Sequence, residues 1–468
     1  MFRARTVTAV TLAAVLVAAG GYAVADARDV VPGPLTTQPS PTPQPPFPTA
    51  PGAASLSSSG QVVAAPAADD PAPSAAAVAR DVARLVRDDR LGSRVGVQVV
   101  DVLSGDVLSA SGATSRYTPA STQKLLTAVA ALTALDPDAT LPTTVVQAGP
   151  GGIALVGGGD QLLAEGKGSA SAVDGRAGVA DLAAQVATKL RLAGRSSVTL
   201  TVDDTFFSGP ALSPTWDPSY LANGFVAPVS ALSIDVARKS GTEYAQRWTD
   251  PATHTADVFA AALKKRGVTV TSVARGSAPE KATRLGIVRS ATVREIVGYA
   301  LQHSDNTVTE GLGRLVAASR DLPASFDGAT KAVVAVVHGL GVDTSGARLV
   351  DCSGLGKGSL LTPRQLAQVL ALSTGGDHPD LTGVVALLPI SGLRGTLDDR
   401  YLFTDARGRV RAKTGSLTGV ASLAGTVMTD DGRELVFVVM ADRTKDGPWE
   451  ARAAIDDFVT RLADCGCS

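Results

Sequence analysis

Histidine, cysteine and asparagine are scarce in this 468-residue chain, with four, three and two residues respectively. That excludes a histidine-rich metal centre and a dense disulfide framework. Neither sign of charge dominates, since 43 Lys+Arg stand against 44 Asp+Glu. With no basic surplus to neutralise phosphates, a nucleic-acid partner is not expected. Aromatic residues are 4% of the chain, yet hydrophobic residues reach 45%, too many for a chain disordered throughout. The length suggests two or three domains.

The chain opens with Arg3 and Arg5, then an uncharged run from Thr6 to Ala25 that closes on Ala23-Val24-Ala25. A positive start, an apolar run and a small-residue exit read as an export signal, residues 1–27. The run is also long enough to cross a bilayer as an uncleaved anchor, although Thr6, Thr8, Thr11, Gly20 and Gly21 weaken it in that role. Either way the rest lies outside the cytoplasm, secreted or tethered to the outer face of the membrane or the wall. Membrane contact is expected only through this segment if it stays uncleaved. Residues 28–75 follow, with PSPTPQPPFPTAPG, SLSSSG and DDPAPS. Proline fixes φ and lacks a donor, so this stretch builds no packed core and reads as a tether.

Beyond it, Val78, Val82, Leu85 and Val86 have helical spacing, and Val95–Leu103 and Val107–Ala110 flank the hairpin signal Ser104-Gly105-Asp106. Near the other end, Val410–Lys413, Ala421–Met428 and Leu435–Met440 read as strands, with a turn at Asp430-Asp431-Gly432 and a final helix over Trp449–Leu462. The two ends therefore share one antiparallel sheet with helices packed on it. The middle shows strands at Ile153–Val156 and Val198–Val202 and helices at Val179–Ala193 and Ala256–Lys265. A stretch of that length needs its own core, so residues 142–286 read as an inserted, smaller α+β domain within a body formed by 76–141 and 287–468.

Three short patterns carry chemistry. Ser121-Thr122-Gln123-Lys124 opens an apolar helix, with Leu125, Leu126, Val129 and Leu132 after it. Lys124 is one turn from Ser121, on the same face. A serine needs a base, and a lysine in an apolar setting loses its proton readily enough to serve. Ser304-Asp305-Asn306 falls between two helical stretches, where a hydroxyl and an amide can relay a proton and hold a substrate amide. Lys413-Thr414-Gly415-Ser416 ends a strand, with a cation and two hydroxyls for a carboxylate and a glycine that leaves room at the strand edge. Taken singly, each also reads as an N-cap or an ordinary turn. Each occurs once in the chain, and they come in the order S-x-x-K, S-x-N, K-T-G, the set of penicillin-binding proteins and serine β-lactamases.

The first two motifs lie far apart, unlike those of a class A β-lactamase. No E-x-x-x-N pattern exists, since Ser219 and Gln302 stand four residues before Asn223 and Asn306. The long segment between the motifs resembles the D-alanyl-D-alanine carboxypeptidase/D-alanyl-D-alanine-endopeptidase family, the class C low-molecular-mass penicillin-binding proteins (peptidase family S13). Leu155–Asp160, Val202–Phe207, Ala227–Ser233, Asp351–Leu355 and Leu388–Gly392 are similar to that family as well. Cys352 departs from it, standing where the family has glycine, and the insertion is of modest size.

The resemblance implies a transpeptidase-like fold of the α/β (α+β) type, an antiparallel sheet flanked by helices with an inserted domain. It implies a serine DD-peptidase acting on peptidoglycan stem peptides, inhibited by β-lactam antibiotics, with no cofactor and no metal. Carried over, Ser121 is the nucleophile and Lys124 its base. Ser304 and Lys413 pass the proton to the leaving D-alanine. Asn306 holds the peptide amide, and Thr414, Gly415 and Ser416 bind the terminal carboxylate. The backbone N–H groups of Ser121 and Ser416 form the oxyanion hole, and repulsion from Lys413 lowers the pKa of Lys124. An acidic residue of the inserted domain reads the stem-peptide amine. Asp203, near Phe207, is the candidate, with Asp204 as the alternative. His303 is left structural, Asp160 is read as a turn residue, and Cys352 is expected to pair with Cys465 or Cys467. The rival readings are a β-lactamase or esterase on the same fold and a non-catalytic penicillin-binding sensor.

Overall fold

The computed structural model describes residues 19–28, 71–374, 378, 380–445 and 448–465. Residues 19–27 form a helix; the rest of the expected export signal, and all of the tether up to residue 70 except Arg28, lie outside the described residues. Among the described residues no helix is long and apolar enough to cross a membrane. From residue 71 on, the described residues form one compact unit.

The N-terminal part supplies helix α1 (Ala75–Val86), strands β1 (Val95–Asp101) and β2 (Val107–Ser111), and helix α2 (Lys124–Ala134). The middle supplies β3 (Thr140–Gln147), β4 (Gly152–Gly157), β5 (Asp160–Leu163), α3 (Val179–Leu192), β6 (Ser197–Asp203) and β7 (Leu232–Ile234). It continues with α4 (Pro251–Lys264), β8 (Thr269–Arg275) and β9 (Arg284–Thr292). Four helices follow: α5 (Val293–Gln302), α6 (Asn306–Ala318), α7 (Phe326–Gly339) and α8 (Pro363–Ala371). The chain ends on β10 (Val410–Leu417), β11 (Val420–Met428), β12 (Glu434–Ala441) and α9 (Pro448–Ala463).

The main sheet is antiparallel, in the order β10-β11-β12-β1-β2. Both ends of the chain contribute to it, as their strand patterns imply. Every residue of β1 is buried, because the strand is covered on both faces. Val97 and Val99 face Val82 and Leu85 of α1 and Ile455 and Phe458 of α9, while Val100 joins the core around α2 on the other side. Helix α2 is buried from Lys124 to Leu132 and apolar all round apart from its first turn and Thr127, the pattern of a helix enclosed by others. Helices α5 to α8 enclose it. Each buried Val, Leu or Phe here contributes about 1.5–3 kcal/mol relative to exposure.

The second sheet is mixed rather than purely antiparallel, in the order β8-β6-β4-β3-β9, with β4, β6 and β8 parallel. It has its own core, in which Leu182 and Val186 of α3 and Phe259 and Leu263 of α4 meet Ile153, Leu155, Leu200 and Val202. The sheet runs from Thr140 to Thr292, slightly wider than 142–286. Helix α4 begins five residues before the expected Ala256. Pro251 sits at its start, and Asp250 caps it by accepting from Thr253 N at 3.1 Å.

Candidate active site

The Ser121 turn is set by backbone rather than by a regular helix start. Ala120–Gln123 form a single 3-10 turn that runs into α2, and Ala120 has φ +49°. That left-handed geometry costs an L-residue about 1–2 kcal/mol. Thr122 Oγ1 donates to Pro119 O at 2.7 Å and is buried with Gln123, while Ser121 faces a cleft.

Lys124 is fully buried, and its Nζ has three partners: Ser121 Oγ at 2.9 Å, Asn306 Oδ1 at 2.7 Å and Ser353 O at 2.8 Å. Two of these only accept. A neutral amine has two N–H donors and one lone pair, so the donors fill Asn306 and Ser353 and the lone pair is left for the Ser121 hydroxyl proton. Burial lowers the Lys124 pKa to about 8, against the opposing charges of Asp351, Glu310 and Asp305. The expected repulsion falls on the other partner: burial and then the Lys124 charge push Lys413 well below its ordinary value.

The second motif joins the same point. Ser304 has φ +51°, and Asp305 caps α6 by accepting from Val308 N at 2.9 Å. This sharp turn presents Ser304 Oγ to Lys413 Nζ at 2.9 Å and Asn306 Oδ1 to Lys124. Lys413, also fully buried, bonds Thr414 O at 2.9 Å, and Thr414 Oγ1 lies 3.0 Å from Thr396 Oγ1. Asn306 Nδ2 donates to Phe225 O at 2.7 Å. Ser121, Lys124, Ser304, Asn306, Lys413, Thr414, Gly415 and Ser416 thus come together, although they are far apart in sequence.

A carboxylate under the site was not expected from the sequence. Cys352 N and Ser353 N donate to Glu310 at 3.0 and 2.8 Å, while Gly354 N and Gly356 N donate to Asp351 at 2.8 and 2.6 Å. These bonds aim Ser353 O at Lys124. Burial and the Asp351 charge push the fully buried Glu310 up to about 8.

The cleft has a volume of about 680 Å³. Its floor includes Ser121, Ser304, Asn306, Thr414 and Ser416, and its far wall comes from the middle of the chain: Tyr220, Phe225, Arg238, Glu243 and Tyr244. The Phe225 ring meets Tyr220 edge-on at 6.1 Å and Tyr244 at 5.5 Å. Burial, and then the neighbouring Glu243 carboxylate, raise the Tyr244 pKa. His303 lines the cleft, exposed beside the Tyr299 ring at 4.4 Å. No apolar periodicity marks residues 220–247, so none of this wall was evident from the sequence.

Asp203 and Phe207 are not part of this cleft. Asp203 ends β6, and its carboxylate is consumed locally: Oδ1 accepts from Thr205 N and Oγ1 at 3.1 and 2.6 Å, and Oδ2 accepts from Ala278 N at 2.7 Å. The D-x-T pattern is the sequence signal for that turn. Asp204 pairs with Arg275 at 3.1 Å. Phe207 is buried under the Arg314 guanidinium, 5.6 Å from its ring centre. The cysteine expectation also fails. Cys352 is a free, fully buried thiol packed against the Gly313 turn of α6, and Cys465 is disulfide-bonded without it. Asp160 is not a turn residue but the buried first residue of β5.

Comparison with known proteins gives a consistent result. A sequence model of the D-Ala-D-Ala carboxypeptidase 3 (S13) family matches residues 78–243 and 236–462. The carboxypeptidase DacB of Mycolicibacterium smegmatis is 38% identical over 405 residues, covering 85% of this chain and 86% of that one. The D-alanyl-D-alanine carboxypeptidase of Actinomadura sp. (strain R39) is 28% identical, over 82% of this chain and 84% of its own. The crystal structure of penicillin binding protein 4 (dacB) from Haemophilus influenzae shares the fold, with a TM-score of 0.69 at 23% identity, over 81% of this chain and 98% of that one.

Proposed function

Because the chain belongs to the D-Ala-D-Ala carboxypeptidase 3 (S13) family, we propose that Ser121 opens the terminal D-Ala–D-Ala bond of peptidoglycan stem peptides through an acyl-enzyme. The single observation that carries this is the set of partners around Lys124 Nζ, in which only the Ser121 hydroxyl has a proton to give.

Ser121 Oγ attacks the carbonyl carbon between the two D-alanines as its proton moves to Lys124 Nζ. The backbone N–H groups of Ser121 and Ser416 receive the oxyanion. As the C–N bond breaks, Ser304 Oγ gives the leaving amine a proton and is refilled through Lys413, which returns the proton taken by Lys124. Asn306 holds the peptide amide, and Thr414 and Ser416, beside Gly415, bind the terminal carboxylate. Water then attacks the ester and frees Ser121. A cross-linked strand ending in a D-centre carboxylate fits the same scheme with a larger leaving group, and β-lactams acylate the same serine.

Glu243, in place of Asp203, reads the free amine of the stem-peptide side chain. Its carboxylate lies on the cleft wall beside the Tyr244 and Phe225 rings, a setting suited to an ammonium. Residues 142–286 form the inserted domain that brings this wall. Arg3, Arg5 and the apolar run Thr6–Ala25 support export, with the working unit outside the cytoplasm.

The test is incubation of the purified exported body with fluorescent penicillin, followed by a denaturing gel and intact mass, with Ser121→Ala alongside. A stable adduct on the parent and none on the variant is the expected result. Fast loss of penicillin without an adduct would turn the reading to a β-lactamase. No adduct and no turnover from folded protein would leave a binding module.

A further inference from the structure

The segment between the first two motifs does more than wall the cleft: it grips the Ser304-Asp305-Asn306 turn at two points and Thr307 just after it at another. Phe225 O accepts from Asn306 Nδ2 at 2.7 Å, and Ala227 N donates to Thr307 Oγ1 at 2.9 Å. The third grip is an ion pair, Arg238 Nη2 with Asp305 Oδ2 at 3.3 Å, with side chains only 8% and 7% exposed. The other Oδ atom of Asp305 caps α6. One carboxylate therefore fixes both the motif turn and the helix that follows it.

Arg238 is aimed by a strained piece of backbone. Asp235, Val236 and Ala237, which follow β7, have φ of +41°, +46° and +58°. Three successive non-glycine residues in the left-handed region are disfavoured at each position and persist only where the surroundings dictate them. Val236 and Ala237 are fully buried, and the buried Arg247 ties the turn down. Its Nη1 donates to Val236 O at 3.2 Å, and its Nη2 to Gly224 O at 2.7 Å and Glu243 O at 3.1 Å. Arg238 Nη1 meets Asp235 Oδ1 at 2.5 Å, Tyr299 Oη at 3.3 Å and Asp174 Oδ2 at 3.5 Å. The guanidinium thus bridges three carboxylates, one of them in the catalytic motif, a fork that lysine cannot reproduce.

We propose that Arg238 is a positioning residue: reaching from the inserted segment, it locks Asp305 and so sets Ser304 and Asn306 against the two catalytic lysines. This rests on the acyl-enzyme reading. It makes the inserted segment a working part of the acylation machinery and not only a wall that selects substrate.

The test is the rate of Ser121 acylation by fluorescent penicillin in the full chain, as a function of pH, for the parent, Arg238→Gln, Asp305→Ser and the double variant. Serine keeps a cap for α6 and removes the ion pair. Each single variant is expected to acylate roughly 30- to 100-fold more slowly, the scale of about 1 Å of misplacement. The double variant is expected to be no slower than the slower single. The pH midpoint gives a readout that a purely structural role would not move. Asp351, Glu310 and Asp305 all hold the Lys124 proton on, with Lys413 the neighbouring cation. Arg238→Gln unmasks the Asp305 charge and moves the midpoint up, whereas Asp305→Ser moves it down. A folded Arg238→Gln with the parental rate and midpoint would overturn the proposal, as would losses that multiply in the double variant. If Arg238→Gln does not melt cooperatively, Asp305→Ser decides alone, and a parental rate there sinks the idea. A parent that takes no label overturns the acyl-enzyme reading itself, and Arg238's role with it.

Discussion

The Cβ that Gly415 lacks would fall 3.2 Å from the backbone nitrogen of Ser121, 2.8 Å from Pro119 O and 2.2 Å from Ser422 Oγ. Strand β10 therefore runs in backbone contact with the Ser121 turn, and any side chain at this position would force the two apart. Gly415→Ala is expected to slow Ser121 acylation by about 10²-fold while melting only a few degrees lower. Stopped-flow penicillin labelling alongside thermal melting checks it, and a parental rate would show that the spacing is slack.

The buried amine of Lys124 sets a pH dependence. Its pKa is lowered to about 8 by burial, so the neutral, proton-accepting form grows as pH rises through that value. The acylation rate is expected to climb with a single-proton midpoint near there and then level off. Lys124→Arg, whose guanidinium keeps its proton, should lose at least 10³-fold at every pH. Labelling rates from pH 6 to 10 provide the measurement.

Glu243 and Asp203 make opposite predictions about specificity. A bond to a charged group is worth about 1.5–3 kcal/mol, so Glu243→Gln should raise KM for a stem peptide with a free side-chain amine by roughly 10- to 100-fold. Penicillin labelling, which involves no such amine, should change far less. Asp203→Asn loosens the turn after β6 and should lower the melting temperature without that rise in KM.

Much of this site was legible in the sequence because its chemistry sits on element boundaries that residues announce. Lys124 stands out as one cation in an apolar helix, and K-T-G follows a strand pattern, although β10 runs on past Lys413 to Leu417 and holds the motif within it. The strands at both chain ends were clear for the same reason. The cleft wall was not, because Tyr220 sits in a four-residue helix and Phe225, Glu243 and Tyr244 in irregular chain, where no period marks a buried face. Arg238 was hidden because its value comes from a partner at Asp305, far along the sequence. Asp203 misled because an acidic residue in a family-like stretch says nothing about where its lone pairs go, and here Thr205 and Ala278 take them. Strands β8 and β9 were missed for want of strong apolar alternation, since β8 is exposed along nearly its whole length.

A second pH effect acts on stability. Asp160 is fully buried, its Oδ2 has no partner among the described residues, and burial pushes its carboxyl up to about 7. The folded chain then keeps a proton that the unfolded chain loses near pH 4, so Asp160 costs stability as pH rises through that window to about 7. Asp160→Asn should match the parent near pH 4 and melt several degrees higher at pH 8. Asp174 and Glu310 push the same way and remain in both proteins, so the difference between the two melting curves isolates Asp160. Parallel curves across that range would refute it.

The strand order of the main sheet has a consequence for how the chain comes into being. β1 is made before β12, yet its pairing along that strand, from Val95 with Ala441 to Asp101 with Leu435, waits for residues far later in the chain. Until then a strand destined for full burial has one neighbour, β2, and the Ser121 turn has no β10 to rest against. A nascent chain with every residue up to Leu417 still lacks a finished sheet. The main sheet is therefore closed only once β12 has been made, and a chain that stops short of it leaves the buried face of β1 half-paired and prone to aggregate.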